Sequence, residues 1–181
     1  MNGEKKSEKL DKVREEMGLL ERIVSYVPGY RGYKEKELRR ESDRLVRMAI
    51  VNRLRIAKDN IRKSLANPVI VQKISSEDVW RFDTLVSRLD RVIQRIDKAV
   101  AGYAGMFDAV KVREDKLDMV VQHDSSLIEK AEAFKANVES IVRLDPGREE
   151  WRRLMDDLIL RTEELDTLVD RRVEILKGLM D

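Results

Sequence analysis

Three pairs of adjacent carboxylates stand near the end of the chain: Glu149-Glu150, Asp156-Asp157 and Glu163-Glu164. Two carboxyl groups held close together can divide general-acid and general-base roles, because each charge raises the other's pKa. The spacing argues against that chemistry. Residues 149, 156, 163 and 170 recur every seven positions, as do 150, 157 and 164. A seven-residue period lays such groups in rows along the flank of a coiled helix and does not converge them on a pocket. His123 is the one histidine. A His-Glu-x-x-His zinc site needs two, and a di-iron bundle needs two Glu-x-x-His motifs, whereas the residue three before His123 is Val120. His123, beside Asp124, reads as a partly exposed polar position on a helix. With no cysteine there is no thiolate nucleophile, thiolate metal site or disulfide. Neither a phosphate-cradling glycine loop nor a nucleophile elbow occurs. The sequence therefore assigns no catalytic residue, cofactor, metal ligand or small-molecule substrate, and the expectation is a protein that is not an enzyme.

Binding chemistry is better represented. Between Arg31 and Lys63 there are twelve Lys/Arg against five acids, while Asp145 to Asp181 carries eleven acids against seven bases. Lys36, Arg40, Arg44, Arg47, Arg55, Lys58 and Arg62 follow helical spacing and share one face, a stripe about 40 Å long at 1.5 Å per residue. Arg31 and Lys34 precede it. Guanidinium groups suit forked contacts to carboxylate or phosphate. In the expected reading the stripe is neutralised within the chain, by the acidic flank of the last helix and by Glu37, Glu41 and Asp43. In the other reading it stays exposed and binds anionic lipid or nucleic acid. No aromatic side chain interleaves it, so single-strand stacking has no support.

Just before the stripe lies Tyr26-Val-Pro-Gly-Tyr-Arg-Gly-Tyr33. Pro28-Gly29 predicts a type II turn. Tyr26, Tyr30 and Tyr33 read as a corner plug, rings packed between helices with their hydroxyls wet. The alternative is a small recognition surface for an anion or a peptide at a helix start. The run Pro-Gly-Tyr-Arg-Gly-Tyr-Lys-Glu-Lys-Glu-Leu-Arg-Arg (28–40) resembles a motif of uncharacterised helical proteins of bacteria and archaea. Gly-Tyr-Ala-Gly-Met-Phe-Asp-Ala-Val-Lys-Val (102–112) is similar to a second such segment. The resemblance implies a helical domain and brings no activity, cofactor or site residue with it.

The elements that must position these groups follow from hydrophobic period. Leu10, Val13, Met17, Leu20 and Val24 predict a first helix over roughly 4–26. A second runs from about Tyr33 to Ala66, where Asn67-Pro68 stops it, and Leu38, Leu45 and Ala49 oppose its basic stripe. Val69 to Ile74 reads as a short apolar connector able to be extended. Ser75 or Ser76 caps a third helix whose seam is Val79, Phe82, Val86, Leu89, Ile93, Ile96 and Val100. Residues 102–112 read as a break. A fourth helix over 114–144 has the seam Leu117, Val120, Asp124, Leu127, Ala131, Phe134, Val138 and Ile141. Asp145 as N-cap and Pro146 at the first helical position start a fifth, which runs almost to Asp181. Its seam is Trp151, Leu154, Leu158, Leu165, Leu168, Ile175 and Leu179, widened by Met155, Val169 and Leu176.

In 181 residues, 40% charged and 5% aromatic, these seams predict an all-α, elongated antiparallel bundle of about five helices with coiled-coil-like seams. It reads as one domain spanning 1–181 with a flexible N-terminal arm at 1–8. No stretch approaches a membrane span, and a soluble cytoplasmic chain is the expectation. The function expected is that of a helical scaffold or adaptor that associates with a protein partner or with a second copy of itself. The alternative is a peripheral binder of an anionic membrane or nucleic acid through the stripe.

Overall fold

The computed structural model describes residues 17–35, 38–72, 74–99 and 114–178, and every regular element among them is a helix. α1 covers 17–26, α2 Arg39–Ser64, α3 the single turn Pro68–Val71, α4 Ser76–Lys98, α5 Glu114–Ile141 and α6 Glu149–Lys177. The expected arm at 1–8, Leu10, Val13, Lys36, Val100, the break at 102–112 and Leu179 lie outside the described residues.

The four long helices form an all-α bundle in which α2 packs on α4, α4 on α6, α6 on α5 and α5 on α2. Ion pairs across each interface give the directions. Between α2 and α4, Lys58 meets Asp90 and Arg55 meets Asp97, so the helices are antiparallel. Between α5 and α6, Lys130 meets Glu164 and Asp124 meets Arg172, again antiparallel. Between α4 and α6, Arg81 meets Asp156, Arg88 meets Glu163 and Arg95 meets Asp170, so these two run the same way. Two antiparallel hairpins, α2–α4 and α5–α6, are thus laid side by side in the same sense.

The apolar seams fill the space between them. Every predicted seam residue of α5 is buried, Asp124 included. On α4 the seam from Val86 to Ile96 is buried, joined by Leu85 and Val92. On α6, Trp151, Leu158 and Leu165 of the seam are buried together with the widening Met155, Val169 and Leu176, while Leu154, Leu168 and Ile175 are only partly so. On α2 the core face is Val46, Ile50, Leu54, Ala57 and Ile61. This face borders the basic stripe, offset from it by about a quarter turn, which is why Arg47 is carried inward. Leu38, Leu45 and Ala49 are half-buried. Ile23 of α1 and Val27 just after it are buried, whereas Met17 and Val24 of the expected seam point outward. The helix ends at 26, and its last turn is anchored by Arg53, whose Nη2 donates to the Tyr26 carbonyl at 3.1 Å.

Several boundaries differ from expectation for local reasons. Residues 69–71 are not extended: Pro68 opens a helical turn, and the Asn67 side chain caps it by accepting from the Val69 N–H at 3.0 Å. Asp145 is not the N-cap of α6. Gly147 takes φ +83° and the Arg148 N–H bonds the Asp145 carbonyl at 3.3 Å. A positive φ cannot sit inside a right-handed helix, so the helix starts after that turn, with Arg148 at its cap. The predicted Pro28-Gly29 turn has the same form, with Gly29 at φ +87° and Tyr30 N–H on the Val27 carbonyl at 3.1 Å. α4 opens with a capping box. Ser75 Oγ accepts from the Asp78 N–H at 3.1 Å, and Asp78 accepts from the Ser75 N–H at 3.3 Å.

Candidate functional site

The corner before α2 is where the predicted binding residues meet the core. α2 starts at Arg39, later than expected, because residues 30–35 are not helical and carry Tyr30 and Tyr33 inward. Two side chains of the first turn of α2 hold them there. Ser42 Oγ donates to the Gly32 carbonyl at 2.7 Å, and Arg39 Nε donates to the Tyr33 carbonyl at 2.8 Å. Gly32 takes φ +78°, a conformation L side chains resist. It lets Tyr33 enter the bundle between α2 and α5.

Tyr33 ends in a sealed ionic cluster. Its hydroxyl donates to Asp124 Oδ2 at 2.5 Å. Arg172 of α6 donates from Nε to Asp124 Oδ1 at 2.7 Å, from Nη1 to Asp43 Oδ1 at 2.9 Å and from Nη2 to the Tyr33 hydroxyl at 3.1 Å. Arg47 Nε completes it on Asp43 Oδ2 at 2.8 Å. Two guanidinium and two carboxylate groups balance, and all four are buried. Burial raises the Tyr33 phenol well above its ordinary pKa and Asp124 adds to this, against the pull of Arg172. Burial alone would lower the Arg172 pKa, but Asp124, Tyr33 and Asp43 together hold it well above the usual arginine value. The cluster therefore has the closed shell of a structural joint between α2, the corner, α5 and α6.

The corner tyrosines are a plug, with one correction: the hydroxyls of Tyr30 and Tyr33 are not wet. Tyr30 packs edge-on against Tyr33, ring centroids 5.9 Å apart, and its own hydroxyl is buried without a hydrogen-bond partner. Tyr26 is half-buried beneath the Arg53 guanidinium, 5.6 Å from its ring centre. His123 is also corrected. It is buried on α5, not partly exposed, and neither ring nitrogen has a hydrogen-bond partner.

The stripe residues are divided among several partners. Arg47 belongs to the buried cluster. Arg44 forks onto Glu41 at 2.8 and 2.9 Å. Lys58 Nζ lies 2.6 Å from Asp90, Arg62 lies 3.8 Å from the same carboxylate, and Arg55 lies 2.9 Å from Asp97. Glu41 and Asp43 of α2 are two of the local partners expected; the other partners are acids of α4, not the acidic flank of α6 that the sequence also suggested. α2 and α6 sit across the bundle diagonal, and the acids of α6 are engaged by Arg81, Arg88, Arg91 and Arg95 of α4. Arg40 is exposed at the start of the stripe.

Arg31 and Lys34 go elsewhere. Both line an open groove of about 620 Å³ between α1, the corner and the start of α5. Its apolar wall is made by Leu19, Leu20, Leu117 and Val121, with Tyr33 behind, and its rim also carries Arg22, Glu35 and Asp118. That volume lies within the range of sites that hold a compact ligand or a few side chains. The groove could not be read from the sequence, because it depends on α1 folding back along α5. The cluster left a readable signal: Asp124 and Arg172 each interrupt an apolar seam, with opposite charge. Compared with protein families, curated proteins and solved structures, the chain finds no match in any of the three.

Proposed function

We propose that the chain is a non-enzymatic helical adaptor that holds a short segment of a protein partner in the corner groove. The observation that carries this reading is the groove's make-up: an apolar wall of Leu20, Leu117 and Val121 beneath a rim bearing Arg31 and Lys34. Such a surface favours a segment with one or two large apolar side chains next to an acidic residue, the first for area removed from water and the second for the guanidinium. The wall is backed by helices that the ionic cluster holds together, so the surface is preformed and little ordering is lost on binding. Pairing of the stripe residues with α4 supports a local peptide site over a broad anionic surface.

Selection of random peptides on the purified protein tests this. Enriched sequences should combine Asp or Glu with adjacent large apolar residues. Val121→Arg should abolish their binding, and Arg31→Glu should weaken it about tenfold, with circular dichroism unchanged in both. Peptides that bind Val121→Arg as well as the parent protein, or that lack acidic residues, would defeat the assignment.

A further inference from the structure

We propose that His123 is an acid-sensitive latch on the α5–α6 interface. This inference stands apart from the groove and rests on the buried cluster. The imidazole is 7% exposed, and neither Nδ1 nor Nε2 has a hydrogen-bond partner. An unsatisfied polar ring in a packed interface is uncommon and costly, and this one faces the Leu168 backbone of α6, a neutral group that cannot balance an added charge. Asp124 adjoins it on its own helix, and Arg171 and Arg172 approach from α6. Tyr33 from the corner, and Asp43 and Arg47 from α2, belong to the same charged layer through Asp124 and Arg172.

Protonation would place a fifth charge in a layer that is balanced with four. The one nearby carboxylate is already engaged: Asp124 accepts from Tyr33 and twice from Arg172. An imidazolium competes with the guanidinium for this carboxylate, or else the ring must leave the interior for water. Either movement parts α5 from α6 at this layer. Burial holds the imidazole below its ordinary pKa of 6.5, with Asp124 and the Leu168 backbone opposing and Arg172 and Arg171 reinforcing that shift. The unfolded chain therefore takes up the proton first. The stability that rests on the neutral ring is complete above about pH 6.5 and falls as pH drops below it.

Because the chain has one histidine, its Cε1–H resonance reports this titration without assignment ambiguity. The neutral signal should persist in the folded protein below pH 6.5. When it changes, amides of α5 and α6 around 120–128 and 165–173 should lose hydrogen-exchange protection together, by about tenfold or more, while far-ultraviolet circular dichroism holds. His123→Phe, and independently His123→Gln, should remove the loss of protection between pH 7 and 5. An imidazole that titrates near 6.5 with protection intact would overturn the latch. So would an acid step of unchanged size in whichever variant folds.

Discussion

Arg172→Met isolates the buried ionic cluster. The substitution keeps length and apolar bulk but removes a guanidinium that donates to Asp124 at 2.7 and 3.3 Å, to Asp43 at 2.9 Å and to the Tyr33 hydroxyl at 3.1 Å. Asp43 keeps Arg47. Asp124 keeps only the Tyr33 hydroxyl and is left charged with no exposed surface. Breaking a buried pair from one side costs about 3–5 kcal/mol, because the surviving charge can neither return to water nor find a partner. Against a typical stability of about 5–15 kcal/mol, the loss should be plain in a urea midpoint at unchanged slope. Removing the local set together, as Tyr33→Phe, Asp124→Leu and Arg172→Met, should restore the protein to within about 2 kcal/mol of its parent, since nothing is left unpaired. A cost below about 1 kcal/mol for Arg172→Met alone would mean that water reaches Asp124, and the argument for a sealed joint would fail.

Three further substitutions have signs fixed by geometry. The Arg152 guanidinium, assisted by Ser75, holds the Asp78 carboxyl at about 2, below its ordinary 3.8, in spite of burial. A depressed carboxylate stabilises the fold above its unfolded pKa and loses that contribution as pH falls through the folded one. Asp78→Asn should therefore cost about 2 kcal/mol at pH 7, at about 1.4 kcal/mol per pKa unit, and almost nothing at pH 2, measured by denaturant unfolding at both values. Gly32→Ala should destabilise by about 1–2 kcal/mol, because φ is +78° and the new Cβ would lie 3.3 Å from Leu20 Cδ2. Gly18→Ala on α1 should have the opposite sign, about 0.5–1 kcal/mol of stabilisation, since its Cβ meets nothing within 4 Å. The two thermal midpoints, measured in parallel, check both.

What could be read in advance divides along local and non-local lines. The α4 and α5 seams were legible because period alone decides which face a long helix buries. The Pro28-Gly29 turn and the Ser75 cap were legible because each is complete within four residues. The start of α2 was not. Lys34 to Arg40 has good helix propensity, but the tertiary bonds of Arg39 and Ser42 to the corner carbonyls override it. Pairing of the stripe was expected, yet the partner helix was misjudged. Charge and length nominate both α4 and α6 as partners of α2, and only the order of helices around the bundle chooses between them. His123 was misread for a similar reason: a polar residue one step from a seam residue can turn either way, and the breadth of the α5–α6 contact turns it inward.

The register of α4 on α6 raises a separate question, and the ion ladder cannot be its answer. Arg81, Arg88 and Arg95 meet Asp156, Glu163 and Asp170 at one constant offset. A ladder that repeats every seven residues pairs almost as well after a slip of seven, where Arg81 would meet Glu163 and Arg88 would meet Asp170. Exposed rungs also contribute little each, about 0–1 kcal/mol. Discrimination has to come from groups that do not repeat. At one end, Arg152 holds the α4 capping box through two bonds of 2.8 Å to Asp78. At the other, Arg172 must reach Asp124, Asp43 and Tyr33 at once. A slip of seven carries Arg152 about 10 Å from its partner. It also leaves Asp124 and Asp43 facing apolar positions of α6. The buried charges, a doubtful source of net stability, are therefore the feature that distinguishes this alignment from its periodic neighbours.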